Sequence, residues 1–358
     1  MTAPDDRNPP DTSAAPPAAP LLTRLADADF ERHWRSGSLK YRDFRPLTEG
    51  GGAVLQTCRD INLNRRVVYK ALHAHQAQDQ TAVARFVREA RVTANISHPG
   101  TASVYEIGRD RGGAVYFTMK FIRGRDLRDV IAALAVGDAG TAAAFPIERR
   151  LNLLTEVART LRYAHRSGVV HRDLKPANLL AGVFGEAILL DFGLAQLLDP
   201  AATPEAPPDH AAADDLSDTE PLPPGEDPDD GHAAVCLHLT QQGNRLGTPL
   251  YMSPEQAAGR PTDPRTDVYG WGTVLFEALT LRPLVFGEDP DDVARQIRDA
   301  PAPPPSEARG PRASDEITPE LDAVCLRCLQ KDPEDRFQNF GQLLAALGPA
   351  RGRRRGDR

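Results

Sequence analysis

The residues His171-Arg172-Asp173-Leu174-Lys175-Pro176-Ala177-Asn178 are followed, after twelve intervening residues, by Asp191-Phe192-Gly193. In the first stretch, Asp173 offers a carboxylate that can orient a hydroxyl group. Asn178 offers an amide oxygen that can hold a metal ion, and Asp191 adds a second oxygen ligand after a short predicted hairpin. Carboxylate and amide oxygens are the ligands that Mg²⁺ prefers. This order of residue types predicts phosphoryl-transfer chemistry.

The two stretches match the H-R-D-x-x-x-x-N and D-F-G signature of protein kinases, so the chain resembles a bacterial, Hanks-type serine/threonine protein kinase. The resemblance implies transfer of the γ-phosphoryl group of ATP, with Mg²⁺ as cofactor and Mn²⁺ as the alternative metal. Asp173 would act as catalytic base, Lys175 would steady the γ-phosphate, and Asn178 and Asp191 would hold the metal ion. Lys175 and Thr248 favour protein serine or threonine as the acceptor, by family analogy alone.

The resemblance also implies an α+β, two-lobed fold, with an antiparallel β-sheet and one helix in the small lobe and a mainly α-helical large lobe. We expect a kinase domain over residues 41–347, divided into a small lobe (41–124) and a large lobe (125–347). Residues 1–40 begin with a Pro/Ala-rich stretch that predicts disorder. Residues 348–358 form a basic tail, which is more often solvated than bound to nucleic acid or lipid.

A second pair of charged residues lies upstream. Residues 66–72 form an apolar strand pattern that resembles V-A-I-K, with Lys70 as the phosphate-holding lysine. Apolar residues recur at helical spacing over 80–96, which predicts an amphipathic helix. Glu89 lies on that helix and is the expected partner of Lys70. Each would more often be a solvated surface residue if it stood alone, but the order of the motifs favours catalytic roles.

Residues 47–54 occupy the position of the glycine-rich nucleotide loop but depart from its pattern. Only Gly50 stands at an expected glycine, since Thr48 and Ala53 replace the outer two, and Val54 is predicted as the apolar residue that follows. Glycine lets the backbone approach the phosphates closely. We therefore expect the β-carbon of Ala53 to weaken ATP affinity. The alternative is an ordinary glycine-rich hairpin turn.

The adenine pocket is predicted from the same register. Met119 ends a predicted strand and would be the gatekeeper, and the backbones of Lys120 and Ile122 would meet the adenine edge. Val68 would form the roof of the pocket and Leu180 its floor. Family members often carry an acidic residue in place of Lys120. The apolar residues could equally be ordinary core.

Downstream motifs resemble one branch of the family. Residues 247–257 resemble the substrate-docking loop and A-P-E element, with Ser253 in place of alanine. Asp267 begins a motif that resembles the central large-lobe helix, whose aspartate braces the catalytic loop. Arg336 lies in a motif that resembles the closing element, and the resemblance implies a buried ion pair between Arg336 and Glu255.

Cysteine content and hydropathy indicate in which cellular compartment the chain is expected. Four cysteines are scattered through 358 residues, which does not suggest a disulfide framework. Cys325 and Cys328 form a C-x-x-C on an apolar helical pattern, so we expect core packing rather than zinc binding. Neither a signal peptide nor an apolar run of membrane-spanning length is visible. We therefore expect a cytoplasmic location, no membrane span and no nucleic-acid partner.

An acidic insertion, residues 199–239, separates the D-F-G motif from the docking loop. Residues 199–232 contain eleven Asp or Glu and no Lys or Arg, so they contribute −11 to a net charge of −7, and the remainder carries +4. Like charges and eight prolines predict disorder. The segment could be a passive linker. It could instead compete with acidic or phosphorylated substrates for the basic face around the cleft.

Arg172 bears on regulation. In the family this arginine commonly binds a phosphorylated residue of the activation loop, through charge-assisted hydrogen bonds. Thr240 is the first candidate for that phosphate, followed by Thr219 and Ser217. Self-association for autophosphorylation in trans is a further expectation. Two alternatives remain at this point: a pseudokinase scaffold that binds nucleotide and partners without turnover, and a kinase-like small-molecule phosphotransferase.

Deleting residues 200–235 is expected to raise the rate of substrate phosphorylation, because acidic substrates would then meet less competition. The increase should be largest at low salt, where charges are screened least. Initial rates at two salt concentrations measure the effect. An unchanged rate would support the passive-linker alternative.

Overall fold

The computed structural model describes residues 34–49, 52–198, 249–287, 289–313 and 316–350. The acidic insertion (199–239), with Ser217 and Thr219, lies outside the described residues, as do Thr240 and Thr248.

Strands dominate the first part of the described chain, and helices dominate the rest. The strands are β1 (Tyr41–Glu49), β2 (Ala53–Asp60), β3 (Arg65–Leu72), β4 (Val104–Arg109), β5 (Val115–Lys120), β6 (Gly124–Asp126), β7 (Val169–Val170), β8 (Leu179–Gly182), β9 (Ala187–Leu189) and β10 (Gln196–Leu197). The helices are α1 (Gln80–Asn95), α2 (Leu127–Val136), α3 (Ala139–Ala144), α4 (Ile147–Arg166), α5 (Pro254–Ala257), α6 (Pro264–Thr280), α7 (Pro290–Asp299), α8 (Pro319–Cys328) and α9 (Phe340–Ala350).

The first five strands form one antiparallel sheet in the order β1-β2-β3-β5-β4. Side chains alternate between its two faces, because successive residues of a strand point in opposite directions. One face of β3 carries Val67 and Tyr69, which pack with Tyr41 and Tyr116. The other face packs against Phe86 and its neighbours on α1. This sheet, its one helix and the helical remainder confirm the predicted α+β, two-lobed fold.

Helix α6 is the centre of the large lobe. Every residue from Thr266 to Thr280 is buried, as expected for a helix surrounded by protein. Gly272 allows α8 to approach closely, since a β-carbon at that position would lie only 2.5 Å from Cβ of Cys328. Cys325 and Cys328 are fully buried, unpaired thiols in this core. The prediction of core packing for the C-x-x-C is confirmed.

A buried ion pair joins the docking segment to the end of the large lobe. Arg336 donates from Nη1 to Oε1 of Glu255 at 2.9 Å and from Nη2 to Oε2 at 2.8 Å. Its remaining N–H groups reach the backbone carbonyls of Gln330, Arg265 and Lys331. All five guanidinium donors are therefore satisfied in a fully buried position, which makes the pair stable. The ion pair predicted by resemblance is confirmed.

The ends of the described fold differ slightly from the predicted boundaries. Residues Gly37–Lys40 form a turn of 3₁₀ helix, and the amine of Lys40 lies 2.5 Å from Oε2 of Glu106. Helix α9 continues to Ala350, which is buried and accepts a hydrogen bond from Thr318. Residues 34–40 of the predicted disordered segment (1–40) and residues 348–350 of the predicted basic tail (348–358) therefore belong to the described fold, because these contacts hold them. The other residues of both segments lie outside what the structure describes. Among the described helices, none is both long and apolar enough for a membrane span.

Replacing Glu255 by Gln should lower the free energy of unfolding by about 3–5 kcal/mol, because the buried charge of Arg336 loses its partner. Chemical denaturation measures this loss. Glu334→Gln is the matched control, since Glu334 pairs with Arg265 at an exposed site and should change stability by less than about 1 kcal/mol. Equal effects of the two substitutions would contradict the assignment.

The same pair predicts a pH dependence of stability. Hydrogen bonds and charge from Arg336 outweigh the effect of burial and lower the pKa of Glu255 to about 2. Because the pKa is lower in the folded than in the unfolded protein, the carboxylate of Glu255 stabilises the fold at pH values above its ordinary, unfolded-state pKa. The fold loses that stabilisation as the pH falls towards 2. Glu255→Gln should lose this part of the acid dependence.

Candidate active site

Lys70 and Glu89 meet between strand β3 and helix α1. Nζ of Lys70 donates a hydrogen bond to Oε1 of Glu89, and both side chains are largely buried. Helix α1 begins after its N-cap, Asp79, whose side chain accepts a hydrogen bond from the backbone of Thr81. Burial alone would lower the pKa of Lys70, but the carboxylates of Glu89 and Asp191 outweigh it and raise that pKa. The lysine is therefore held as a cation close to both carboxylates.

The catalytic loop between β7 and β8 gathers the next three predicted residues. Nζ of Lys175 lies 2.7 Å from Oδ2 of Asp173. Nδ2 of Asn178 donates to the backbone carbonyl of Asp173 at 2.8 Å. Burial raises the pKa of Asp173, and the nearby Asp191 adds to this effect while Lys175 opposes it. A raised pKa suits a carboxylate that must accept a proton.

The loop backbone is strained where it carries these groups. Arg172 and Asp191 both have positive φ angles, of 68° and 62°. Non-glycine residues in this region cost about 1–3 kcal/mol each and persist only where the surroundings fix them. The ring of Phe192 packs edge-on against His171, with ring centroids 4.8 Å apart. Tertiary packing therefore holds Asp191 in a conformation that the local sequence disfavours.

Asp267, near the start of α6, holds the backbone of the catalytic loop in place through hydrogen bonds. Its carboxylate accepts hydrogen bonds from the backbone N–H groups of His171 and Arg172, both at 2.8 Å. Nε2 of His165 lies 2.7 Å from the same carboxylate. Burial would raise the pKa of Asp267, but these hydrogen bonds lower it. The bracing role implied by resemblance is thus visible as three contacts to one buried carboxylate.

The donor set fits a magnesium ion. Oδ1 of Asn178 is buried and, within the described part of the chain, has no hydrogen-bond partner. An unpartnered buried oxygen is costly unless a ligand satisfies it. Asp191 lies close enough to influence the pKa of Asp173 and Lys70. An amide oxygen and a carboxylate are the hard oxygen ligands that Mg²⁺ takes.

The predicted adenine-pocket residues share one apolar cluster on the inner face of the sheet. Val68 pairs with Met119 across β3 and β5, and both are buried. Leu180, Ile122 and Ala53 belong to the same cluster. The structure therefore brings these five residues together at the junction of the sheet and β8. Their contact with adenine stays a prediction.

The structure corrects the prediction for Val54. Leu55, which pairs with Lys70 across β2 and β3, is fully buried in the pocket cluster, whereas Val54 is not part of it. Strand alternation directs Val54 to the opposite face. Leu55, and not Val54, therefore lies on the face of β2 that carries the predicted nucleotide pocket. Counting the glycine-loop pattern from Thr48 would have found Leu55 as its apolar position.

The remaining predicted contacts are less defined. The side chain of Lys120 is exposed, and its backbone N–H donates to the carbonyl of Ser103 at 2.9 Å. Gly50 and the side chain of Thr48 lie outside what the structure describes. The nucleotide-loop prediction for these positions stays a prediction.

Ser253 and Gln256 form a cap at the start of α5, and Gln256 connects the docking segment to the catalytic loop. Ser253 caps α5: its Oγ accepts from the backbone of Gln256, and the Gln256 side chain accepts from the backbone of Ser253. Nε2 of Gln256 also donates to the carbonyl of Arg172 at 2.9 Å. The serine that replaces alanine is thus a helix cap. The S-x-x-Q spacing was the available signal.

A cleft of about 820 Å³ opens beside Asp173. Tyr251, Met252 and Gln256 of the docking segment line it, together with Leu194. Tyr251 is held by a 2.8 Å hydrogen bond to Glu277. The cleft is large enough to receive an extended side chain next to the carboxylate of Asp173.

The two-lobed fold and this set of site residues are typical of protein kinases, and comparison with known families agrees. The protein kinase domain family matches residues 41–213 and 229–345, so the chain belongs to that family.

Individual relatives are bacterial. The chain is 32% identical over 302 residues to serine/threonine-protein kinase PknB of Mycobacterium leprae, covering 83% of this chain and 41% of that protein. It is 33% identical over 302 residues to the probable serine/threonine-protein kinase SCO3848 of Streptomyces coelicolor, covering 83% of this chain and 38% of that protein. The chain therefore spans about two-fifths of the length of these curated relatives. The predicted resemblance to bacterial kinases is confirmed.

Ala53→Gly should tighten ATP binding, because the buried β-carbon of Ala53 lies on the pocket face of β2. We expect a decrease in the dissociation constant of about two- to tenfold, or up to about 1.4 kcal/mol. Titration with a fluorescent ATP analogue measures it. Val54→Ala, on the opposite face of the same strand, should leave the affinity unchanged. No difference between the two variants would show that the β-carbon is not what limits binding.

Proposed function

We propose that this chain is a serine/threonine protein kinase that transfers the γ-phosphoryl group of ATP to protein hydroxyl groups. The observation that carries the proposal is a set of charged and polar side chains gathered in one buried site. Lys70 pairs with Glu89, Lys175 contacts Asp173, and Asn178 presents an unpartnered oxygen. A protein that had lost turnover would not need to keep these costly groups buried together.

Asp173 is proposed to orient the acceptor hydroxyl and to take its proton. Its raised pKa supports this role, and a positioned base of this kind contributes about 10²–10⁴ in rate. The adjacent Lys175, at 2.7 Å, is placed to meet negative charge on the transferring group. The cleft beside Asp173 would bring the substrate side chain within reach.

Lys70 is proposed to hold the α- and β-phosphates, with Glu89 fixing its position. Asn178 and Asp191 would hold Mg²⁺, which neutralises phosphate charge when it is bound. The apolar cluster of Val68, Met119 and Leu180 would enclose the adenine ring. Positioning and electrostatics supply most of the rate enhancement, because phosphoryl transfer needs little covalent help from the protein.

Protein serine or threonine is the proposed acceptor because both relatives compared above carry serine/threonine-protein kinase in their names. The docking segment supports a polypeptide substrate, since it is tied to the catalytic loop by Gln256 and to the large lobe by Glu255. A small-molecule phosphotransferase would have no use for such an anchored segment. We also propose self-association for autophosphorylation in trans.

Arg172 is proposed to receive a phosphorylated loop residue. Its Nε is buried without a partner among the described residues, and its Nη1 reaches Gln196 only at 3.3 Å. A phosphate would satisfy the open donor through charge-assisted hydrogen bonds. Thr240 is the first candidate for that phosphate.

The alternative function is a pseudokinase scaffold that binds nucleotide without turnover. One observation favours it: Ala53 puts a buried β-carbon where the family has glycine. Binding of Mg²⁺-ATP without any transfer of phosphate would support this alternative.

Phosphoryl transfer from γ-labelled ATP, to the chain itself and to a generic basic protein, is the test. The parent should incorporate label, and Asp191→Asn should not. Asp173→Asn should lower the rate by about 10²–10⁴. Asp291→Asn, at an exposed site beginning α7, is the matched control and should keep the parent rate.

The acceptor of the label separates the alternatives. Label on protein serine or threonine supports the proposal, and its mapping tests Thr240 directly. Label on small alcohols or aminoglycosides alone would support the small-molecule phosphotransferase.

A further inference from the structure

A groove outside the catalytic site lies between helix α1, the end of β4 and strand β10. It has a volume of about 550 Å³. Val83, Val87 and Leu197 give it an apolar floor. Leu197 is 60% exposed, which leaves apolar area next to Val83 and Val87 open to an occupant.

The rim of the groove is basic. Arg88, Arg91 and Arg109 line it, and none of its lining residues is acidic. The guanidinium groups of Arg88 and Arg91 are exposed and form no ion pair with any residue that the structure describes. Arg109 donates one hydrogen bond, to the carbonyl of Gly113. The groove therefore suits an acidic, partly apolar segment of polypeptide.

The chain itself supplies such a segment at the edge of the groove. Leu197 is held in place by pairing of β10 with β7, and the next residue donates its backbone N–H to the carbonyl of Gly168 at 2.7 Å. The acidic run of eleven carboxylates begins at position 199, two residues beyond this lining residue. An extended chain advances about 3.3–3.6 Å per residue, so the first ten residues can reach up to about 36 Å from this edge of the groove.

We propose that residues 199–232 dock in this groove of the same molecule, with their carboxylates against Arg88 and Arg91. The sequence alone suggested only a basic face around the cleft as the target of this segment, without naming its residues. Arg88 and Arg91, together with the exit of the chain beside them after Leu197, point to this groove as the target. Linkage within one chain favours this occupant over a separate acidic peptide, because it raises the effective concentration.

Docking there would act on the catalytic pair through one helix. Glu89, the partner of Lys70, follows Arg88 on α1. An occupant that holds α1 therefore biases the position of Glu89. This consequence for activity rests on the proposed kinase function, whereas the docking itself does not.

Zero-length carbodiimide cross-linking of the full-length chain tests the docking. The double variant Arg88→Lys and Arg91→Lys introduces amines into the groove while keeping its charge. The control is Arg85→Lys, an exposed arginine on the same helix that does not line the groove. Mass spectrometry of the monomer band maps the cross-links, and no phosphoryl transfer is needed.

The expected result is cross-links from the introduced amines at positions 88 and 91 to carboxylates of residues 199–232. Their yield should fall at least about threefold between 0.1 and 1 M salt, where the screening length drops from about 10 Å to about 3 Å. The Arg85→Lys control should give few such links. Equal yields from the control, or no links at all, would overturn the proposal. Links found only in covalent dimers would assign the groove to a second copy and overturn docking within one molecule.

The readout also separates this proposal from the proposed function. Cross-links without any transfer of label would leave the docking intact and remove the kinase assignment. Transfer of label without cross-links would do the reverse.

Discussion

The carboxylate of Asp267 is the constraint on which the active site depends. It is buried at the start of the central helix and accepts the backbone N–H groups of His171 and Arg172. A buried carboxylate without such partners would be strongly destabilising, so the loop and the helix must form together. Asp173 then follows at a fixed position. The geometry of the base is thus set by a residue nearly a hundred positions away in the chain.

The site stores unfavourable energy that the rest of the fold offsets. Two non-glycine residues, Arg172 and Asp191, have positive φ angles, and the amide oxygen of Asn178 is buried without a partner in the described structure. Strained backbone angles and unsatisfied buried groups persist only where the surrounding packing holds the backbone in place. The buried helix α6 and the fully satisfied Arg336 provide that rigidity. Stability in the large lobe is what allows strain at the loop.

Departures from the family pattern have different physical meanings here. Ser253, where alanine is usual, forms a capping box with Gln256 and links the docking segment to the catalytic loop. Ala53, where glycine is usual, adds a buried β-carbon to the apolar cluster on the predicted pocket face of β2. The first departure strengthens the active architecture, and the second bears on nucleotide affinity. A motif comparison by itself treats the two alike.

The sequence by itself determined the fold and the family, and it predicted the charged residues that the structure brings together, because these depend on residue type and spacing along the chain. The tertiary structure decided what depends on direction and on distant neighbours. The alternation of side chains along β2 puts Leu55, and not Val54, in the pocket cluster. Contacts of Lys40 with Glu106 and of Ala350 with Thr318 extend the fold beyond its predicted ends. The groove lined by Arg88, Arg91 and Leu197 exists only because α1 and β10 lie side by side in the fold. Spacing specifies local chemistry, but only folding determines which faces meet.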